Sequence, residues 1–373
     1  MSGGDSPITV LVLFGPTASG KTAILRKLFN SSGKKAEVIS ADSMQVYRGM
    51  DIGTAKPSAE EREQLPYHLI DIRDPSEQFN AGDFVRLADE ACLQIAERGR
   101  LPVVSGGTGF YLKNFILGLS EAPPSDKVIR EQLKLDLKEK GIAALMEELA
   151  SCDPVSAGRI HINDEYRLLR ALEVYRSSGR PLSSFEVNAK LSKEPPFNER
   201  LPEEDPLRCG GQKRGNYRFI IIGLSRPREE LYRRINLRCA QMFEQGLAAE
   251  ARSLFEAGYT PDDPGMRAIG YREFFVESEE EPARGTSLQK ARPAGVARPA
   301  GTGKWRFSRD IEGVQALVAQ NSRRYAKRQI VFFTGLPDVK WIECGDDDDK
   351  TAELVKCFLT TNHTNAAYEE HEG

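Results

Sequence analysis

The sequence predicts an α/β fold, a parallel sheet flanked by helices and interrupted by a helical insertion domain, and three observations lead there. Short apolar runs alternate with helix-period segments from Ile8 to Ser105, the pattern of strands buried beneath helices on both faces. Gly15-Pro16-Thr17-Ala18-Ser19-Gly20-Lys21-Thr22 follows the apolar run Ile8 to Phe14 directly and fits the phosphate-cradling pattern G-x-x-x-x-G-K-[ST]. From Ser125 to about Ser184 the pattern turns helical and poor in strands.

Taken in order, the first strand is Ile8 to Phe14, and its glycine-rich end lets consecutive backbone N–H groups face one anion. A helix expected to begin near Lys21, with Ala23, Leu25 and Leu28 on its apolar face, turns the positive end of its dipole on the same anion. Lys21 supplies a point charge and the Thr22 hydroxyl a magnesium ligand, so the architecture is P-loop NTPase-like. The motif leaves open which phosphate is held. Further strands are expected at Ala36 to Ile39, His68 to Ile72 and Pro102 to Ser105. Between the last two, Asn80 caps a helix over Ala81 to Arg98 whose Phe84, Leu87, Ala88, Ala91 and Ile95 face the sheet. Polar residues follow three strands: the phosphate loop, then Asp42-Ser43-Met44-Gln45, then Gly106-Gly107-Thr108-Gly109. Open α/β sheets bind ligands beyond the carboxyl ends of their strands, so these loops are expected to converge on one cleft.

The insertion carries amphipathic segments at Val128 to Lys140, Ile142 to Ala150 and Glu165 to Ser178, then a Pro-rich, charged stretch to Arg214. Tyr217 to Leu224 reads as a return strand, and Arg228 to Ala257 as two helices broken near Gly246. Glu277 to Lys304, with three consecutive glutamates and a near-repeat of Ala-Arg-Pro-Ala-Gly, reads as a disordered surface loop. Helical pattern resumes from Arg309 to Phe333. After Trp341 the aspartates Asp346 to Asp349 read as a solvated link to a tail with one short helix. The expected division is 1–124 for the first part of the catalytic core, 125–214 for the insertion, 215–342 for the return to the core and 343–373 for an acidic tail.

Composition narrows the class. The chain has 373 residues, enough for one large or two ordinary domains, and is 40% hydrophobic, which supports a proper core. No apolar run approaches the ~18 residues that a membrane helix needs, and Met1 to Ile8 lacks a signal-peptide pattern. A cytoplasmic protein without membrane contact is expected. Six scattered cysteines lack CxxC spacing and point to reduced thiols. Cys344 and Cys357 stand too far apart to form a zinc finger with His363 and His371. From Glu343 onward nine acids face two lysines, a charge of −7 that leaves the preceding body at +4 within an overall −3. That body alone does not announce nucleic acid, so local clusters carry the case.

Asp42, at a strand end beside the phosphate loop, can act as a base toward whatever attacks the phosphorylated group, or it can cap a helix or bind magnesium. Thr108 offers a hydroxyl to a phosphate oxygen among glycines that permit close approach, although a plain tight turn has the same composition. Leu69-Ile70-Asp71 resembles the strand end of a nucleotide hydrolase, a short and common pattern that would give Asp71 a magnesium role. Arg267-Ala268-Ile269-Gly270-Tyr271-Arg272 and Arg323-Arg324-Tyr325-Ala326-Lys327-Arg328-Gln329 interleave cations with aromatics, as do proteins that hold single-stranded RNA. A solvated basic helix face is the plain alternative for the second.

Gly15 to Thr22, Ile39 to Pro57 (ISADSMQVYRGMDIGTAKP), His68-Leu69-Ile70-Asp71-Ile72 and Gly106-Gly107-Thr108 together closely resemble the tRNA dimethylallyltransferases, also called tRNA isopentenyltransferases. The similarity continues through Ala157 to His161, Arg170 to Val174, Arg267 to Arg272 and Ala326 to Gln329. It implies transfer of the dimethylallyl group of dimethylallyl diphosphate to N6 of the adenosine just 3′ of the anticodon. By that resemblance Gly15, Pro16, Thr17, Ala18, Ser19, Gly20, Lys21 and Thr22 hold the diphosphate leaving group, with magnesium shared between Thr22 and phosphate oxygens. Asp42 accepts the N6 proton, while Thr108 and Arg238 stabilise charge developing on the diphosphate. The tRNA path takes in Asp42, Ser43, Met44, Gln45, Thr108, Arg130, Tyr166, Arg167, Leu168, Leu169 and Arg170. It continues through Arg267, Ala268, Ile269, Gly270, Tyr271 and Arg272 to Lys327, Arg328 and Gln329, and the insertion clasps the anticodon stem-loop. A monomer is expected. The zinc finger of many eukaryotic members is absent, which points to a bacterial-type or organellar enzyme, and the loop from Glu277 to Lys304 is longer than the family pattern. Three other readings share the phosphate loop: an isopentenyltransferase acting on free adenylate, an RNA-binding P-loop NTPase and a nucleoside kinase. Gly53 to Pro57 and Lys327 to Gln329 favour tRNA, since a free nucleotide needs no long basic clasp.

Overall fold

A computed structural model of the chain describes residues 7–30, 35–185, 213–214, 217–277, 304–345 and 347–369. Strand β1 (Ile8–Phe14) leads through the phosphate loop into α1 (Lys21–Asn30), followed by β2 (Ala36–Ala41), α2 (Ala59–Gln64) and β3 (Tyr67–His68). Helix α3 (Ala81–Glu97) precedes β4 (Leu101–Gly106) and α4 (Gly109–Leu117). Next come α5 (Lys127–Cys152), α6 (Pro154–Ala157) and α7 (Glu165–Ser178). The chain returns through β5 (Lys213–Arg214), β6 (Tyr217–Ser225), α8 (Arg228–Glu244) and α9 (Leu247–Glu256). It ends with the hairpin β7 (Phe275–Glu277) and β8 (Trp305–Phe307), then α10 (Ile311–Phe333), β9 (Lys340–Glu343) and α11 (Asp348–Glu369). Residues 1–118 with 208–373 form one compact unit and residues 119–207 a second.

Among the described residues the first unit holds a seven-stranded sheet ordered β3-β2-β4-β1-β6-β5, with β9 also on β6. Every pairing is parallel except that of β5 with β6, so the α/β expectation holds. Strand β1 is central and its apolar run is sorted by side. Val10, Val12 and Phe14 join the core beneath α3, α4, α8 and α10, while Leu11 and Leu13 join the core beneath α1 and α11. A strand buried on both faces reads as a continuous apolar run. The register matters for chemistry. Phe14 and Ala41 both stand opposite Gly106, so Gly15, Asp42 and Gly107 leave the sheet at one level.

Two expectations are corrected. The third strand ends at His68, because Leu69 and Asp71 adopt left-handed φ of 63° and 59°. The segment turns to the loop after β2 instead, where Arg73 N donates to Val46 O (2.8 Å) and Arg48 N to Arg73 O (2.9 Å). Gly109 opens helix α4 directly, so the Gly106 to Gly109 stretch is more than the plain tight turn of the alternative reading. The aspartate run is no solvated link: Asp348 opens the 22-residue α11 and pairs with Arg226 (2.8 Å), while Asp349 pairs with Lys27 (2.5 Å). Ala352, Val355 and Leu359 of that helix are buried in the core shared with Leu25 and Leu28. The expected loop over 277–304 and the charged stretch before Arg214 lie almost wholly outside the described residues.

The described residues of the second unit form helices and no strand. Gly141, at φ 81°, kinks α5 between the two amphipathic segments read from the sequence. Leu133, Leu145, Leu149, Leu168, Leu169 and Leu172 form its own core. Glu173, fully buried, accepts from Ser125 Oγ (2.6 Å), Asp126 N (2.8 Å) and Arg170 Nη1 (2.9 Å). No helix among the described residues is long and apolar enough to cross a membrane, and the described cysteines are free thiols.

Candidate active site

The phosphate loop takes its shape from two left-handed residues, Ala18 (φ 63°) and Gly20 (φ 101°). An alanine in that region carries strain of roughly 1–3 kcal/mol, which the surroundings must hold. Ser19 N donates to Pro16 O at 3.2 Å, and Lys21 Nζ folds back on Gly15 O (2.9 Å) and Pro16 O (3.0 Å). Burial pushes the Lys21 ammonium down to about 8, and nearby Arg238 pushes the same way against the opposing carboxylate of Asp42. Two cations, Lys21 and Arg238, converge here beside the carboxylate of Asp42. Ser19 is fully buried, and its Oγ has no hydrogen-bond partner.

A chain of hydrogen bonds ties this loop to the other two strand ends. Arg238 Nη2, from α8, donates to Thr17 Oγ1 (2.6 Å), and Thr17 N donates to Gln329 Oε1 (2.9 Å). Gln329, from α10, donates through Nε2 to Gly107 O at 2.7 Å. Thr108 N donates to Ala41 O (3.1 Å), and Ser43 N donates to Thr108 Oγ1 (3.0 Å). Asp42 Oδ1 accepts from Met44 N (2.9 Å) and Gln45 N (3.3 Å). Both turn contacts fall on one carboxylate oxygen. The Asp42 charge is felt at Lys21, at Arg238 and at Tyr325. One end of the sheet therefore joins the glycine-rich loop, two partly buried cations, a carboxylate and a threonine hydroxyl.

A family model described as IPP transferase matches residues 45–335. The chain belongs to the IPP transferase family. The tRNA dimethylallyltransferase of Geobacter sulfurreducens is 38% identical over 354 residues, covering 95% of this chain and 98% of that relative. Among solved structures, the full-length tRNA isopentenylpyrophosphate transferase of Bacillus halodurans is 34% identical with a TM-score of 0.61, over 98% of this chain and 99% of that one. A eukaryotic dimethylallyltransferase acting on tRNA is 25% identical with a TM-score of 0.62, over 91% of this chain and 74% of that one.

Within this IPP transferase, several residues placed on an RNA path by resemblance have other work. Tyr271 is fully buried; its hydroxyl donates to Glu250 Oε1 (2.5 Å) and accepts from Gly53 N (3.1 Å), so its ring offers no stacking face. Ala268, Leu168 and Leu169 are core residues. Gln329 is buried in the bridge between Thr17 and Gly107. Gln45 holds the chain at Thr54 O (3.2 Å) and Ala55 O (3.3 Å). The exposed members are Arg267, Arg272, Lys327 and Arg328 in the first unit and Tyr166 and Arg167 in the second. In that second unit the Arg130 guanidinium lies 5.0 Å from the Tyr166 ring centroid. Asp71 is committed to Lys56 (2.5 Å) and Arg62 (2.9 Å), which removes the magnesium role.

The glycines of the Gly106-Gly107-Thr108 turn serve close approach, but to the chain itself. A Cβ on Gly106 would strike Ala41 O, and one on Gly107 would strike Gln329 Nε2. Tyr325, the aromatic of the basic stretch from Arg323 to Gln329, reaches this site instead of standing with the exposed cations. Its hydroxyl interacts with Thr108 and Gln329, and burial next to Asp42 raises it to about 12. The signal is a spacing of four: Tyr325 and Gln329 share one face of α10, while Lys327 and Arg328 point outward.

Magnesium is tested by the donor set. Among the described residues no three His, Cys, Asp or Glu side chains cluster as ligands. The exposed Thr22 hydroxyl stands one residue past the loop's lysine. Magnesium is usually bound by one or two protein groups plus phosphate oxygens and waters, so a single hydroxyl fits an ion carried by its anion.

Proposed function

We propose that this protein is a tRNA dimethylallyltransferase, which moves the dimethylallyl group of dimethylallyl diphosphate onto N6 of the adenosine just 3′ of the tRNA anticodon. The observation that carries the reading is the convergence of Asp42 with Lys21 and Arg238 at one end of the sheet. A carboxylate beside the loop suits an acceptor that loses a proton as it attacks, as an exocyclic amine does.

In the proposed reaction the N6 amine attacks C1 of the donor, the N6–C1 bond forms, and the C1–O bond breaks with its electron pair leaving on diphosphate. The N6 proton passes to Asp42. Its Oδ1 is held by Met44 N and Gln45 N, which orients the carboxylate before substrate arrives. An amine on an aromatic ring is a weak nucleophile, and general-base help of this kind contributes about 10² to 10⁴ in rate. Lys21, Arg238 and the backbone N–H groups of the loop meet the charge gathering on the leaving group, and Thr108 adds a hydroxyl donor. Magnesium held at Thr22 would neutralise part of the diphosphate charge. The adenine must leave its stack to reach Asp42. Arg267, Arg272, Lys327 and Arg328 are proposed to meet RNA phosphates near the first unit, and the Arg130 and Tyr166 pair offers the helical unit a contact of its own.

The test is transfer itself. Purified protein with labelled dimethylallyl diphosphate is expected to put label into tRNA as N6-dimethylallyladenosine, read by nucleoside mass analysis, with none entering AMP. Label in AMP alone, or RNA-stimulated ATP hydrolysis without transfer, would reverse the assignment.

A further inference from the structure

We infer that Asp348, at the start of the C-terminal helix, is a positioning residue for diphosphate binding that acts through Arg226. The inference rests on the phosphate loop's being the diphosphate site. Arg226 follows strand β6 with its side chain fully buried, and its guanidinium has three partners. Nε donates to Ser19 O (2.9 Å), Nη1 to Gly345 O (2.6 Å) and Nη2 to Asp348 Oδ1 (2.8 Å). One partner belongs to the phosphate loop and two to the segment that leads into α11.

The peptide between Ser19 and Gly20 is planar and trans, so its C=O and N–H point in opposite directions. A guanidinium that holds Ser19 O therefore also fixes the Gly20 N–H, turned away from Arg226. Gly20 has φ 101° and no side chain to set its own orientation, and a Cβ there would lie 3.2 Å from Arg226 Nη2 and 3.5 Å from Asp348 Oδ1. The clamp is thus packed on the residue whose peptide it orients. Asp348 also balances the buried charge. Without it Arg226 would keep one charge-assisted partner fewer and could swing from Ser19, because a buried guanidinium left unpaired is costly. The C-terminal segment in this way helps to hold the loop in its anion-ready shape.

Calorimetric titration of the full-length protein with inorganic diphosphate and magnesium tests this, using Asp348→Asn, Asp348→Glu and the control Lys27→Met. Lys27→Met removes the neighbouring pair with Asp349, which fastens α11 to α1 without touching Arg226. Asp348→Asn is expected to weaken diphosphate about tenfold, Asp348→Glu to recover most of that, and Lys27→Met to change it less than twofold. In steady-state assays the KM for the prenyl donor should rise with Asp348→Asn while the KM for tRNA stays. Native-like diphosphate affinity in Asp348→Asn, or an equal loss in Lys27→Met, would overturn the inference while leaving the proposed function standing. Failure of the native protein to bind diphosphate would overturn both.

Discussion

In the proposed reaction Asp42 has a separate task for each of its oxygens. Oδ1 closes the turn to Met44 and Gln45, so capping and catalysis, which looked like rival roles in the sequence, are compatible. An asparagine keeps the accepting oxygen and loses the base. Asp42→Asn is therefore expected to lower kcat by about 10² to 10⁴ with both KM values nearly unchanged, and native-like turnover in steady-state assays would remove Asp42 from the chemistry. Lys21 gives a pH prediction. Its ammonium is lowered to about 8 by burial, so the charge is present below that pH and lost as pH rises through it. kcat/KM for the prenyl donor, which reports on free enzyme, should fall above pH 8, and Lys21→Arg should abolish that falling limb whatever its effect on the plateau. The phosphate loop and Asp42 were legible because both sit at fixed distances along the chain. Arg238 needed the family resemblance, since it meets Thr17 across 221 residues of sequence.

At the scale of elements, periodicity located β1, α3, α7, α8, α9 and α10 well, because each has one apolar face or run and a clear end signal, such as Asn80 capping α3 or Gly246 between α8 and α9. It failed where tertiary pairing decides. Leu69-Ile70-Asp71 is apolar enough for a strand, yet Lys56 and Arg62 hold Asp71 in a left-handed turn. Tyr271 looked like a stacking group because sequence does not reveal that Glu250 and Gly53 close around its hydroxyl. The Gly107 turn and α10 form one unit through Gln329, which makes a specific forecast. Gly107→Ala would push Gln329 from both Thr17 N and Gly107 O, costing roughly 1–3 kcal/mol for the unsatisfied buried groups and loosening the phosphate loop. Thermal unfolding should show the loss, and donor KM should rise with it. An unshifted midpoint with native KM would mean the bridge is dispensable.

For the whole molecule, the decisive property is a parallel sheet whose register brings Gly15, Asp42 and Gly107 to one level. The fold class could be read early because strand and helix patterns alternate along the chain. The closing of the site could not, since α10 and α11 reach it from positions far along the chain: Gln329 lies 312 residues from Thr17, and Asp348 lies 122 residues from Arg226. The central claim is that a prenyl diphosphate sits on this loop with its reacting carbon turned to Asp42. A crystal structure with the thiolated analogue of dimethylallyl diphosphate tests it most directly. The account predicts the diphosphate seated on the backbone of residues 15–22, against Lys21 and Arg238, with C1 facing the Asp42 carboxylate. A diphosphate bound elsewhere, or one on the loop with its prenyl chain directed away from Asp42, would contradict it.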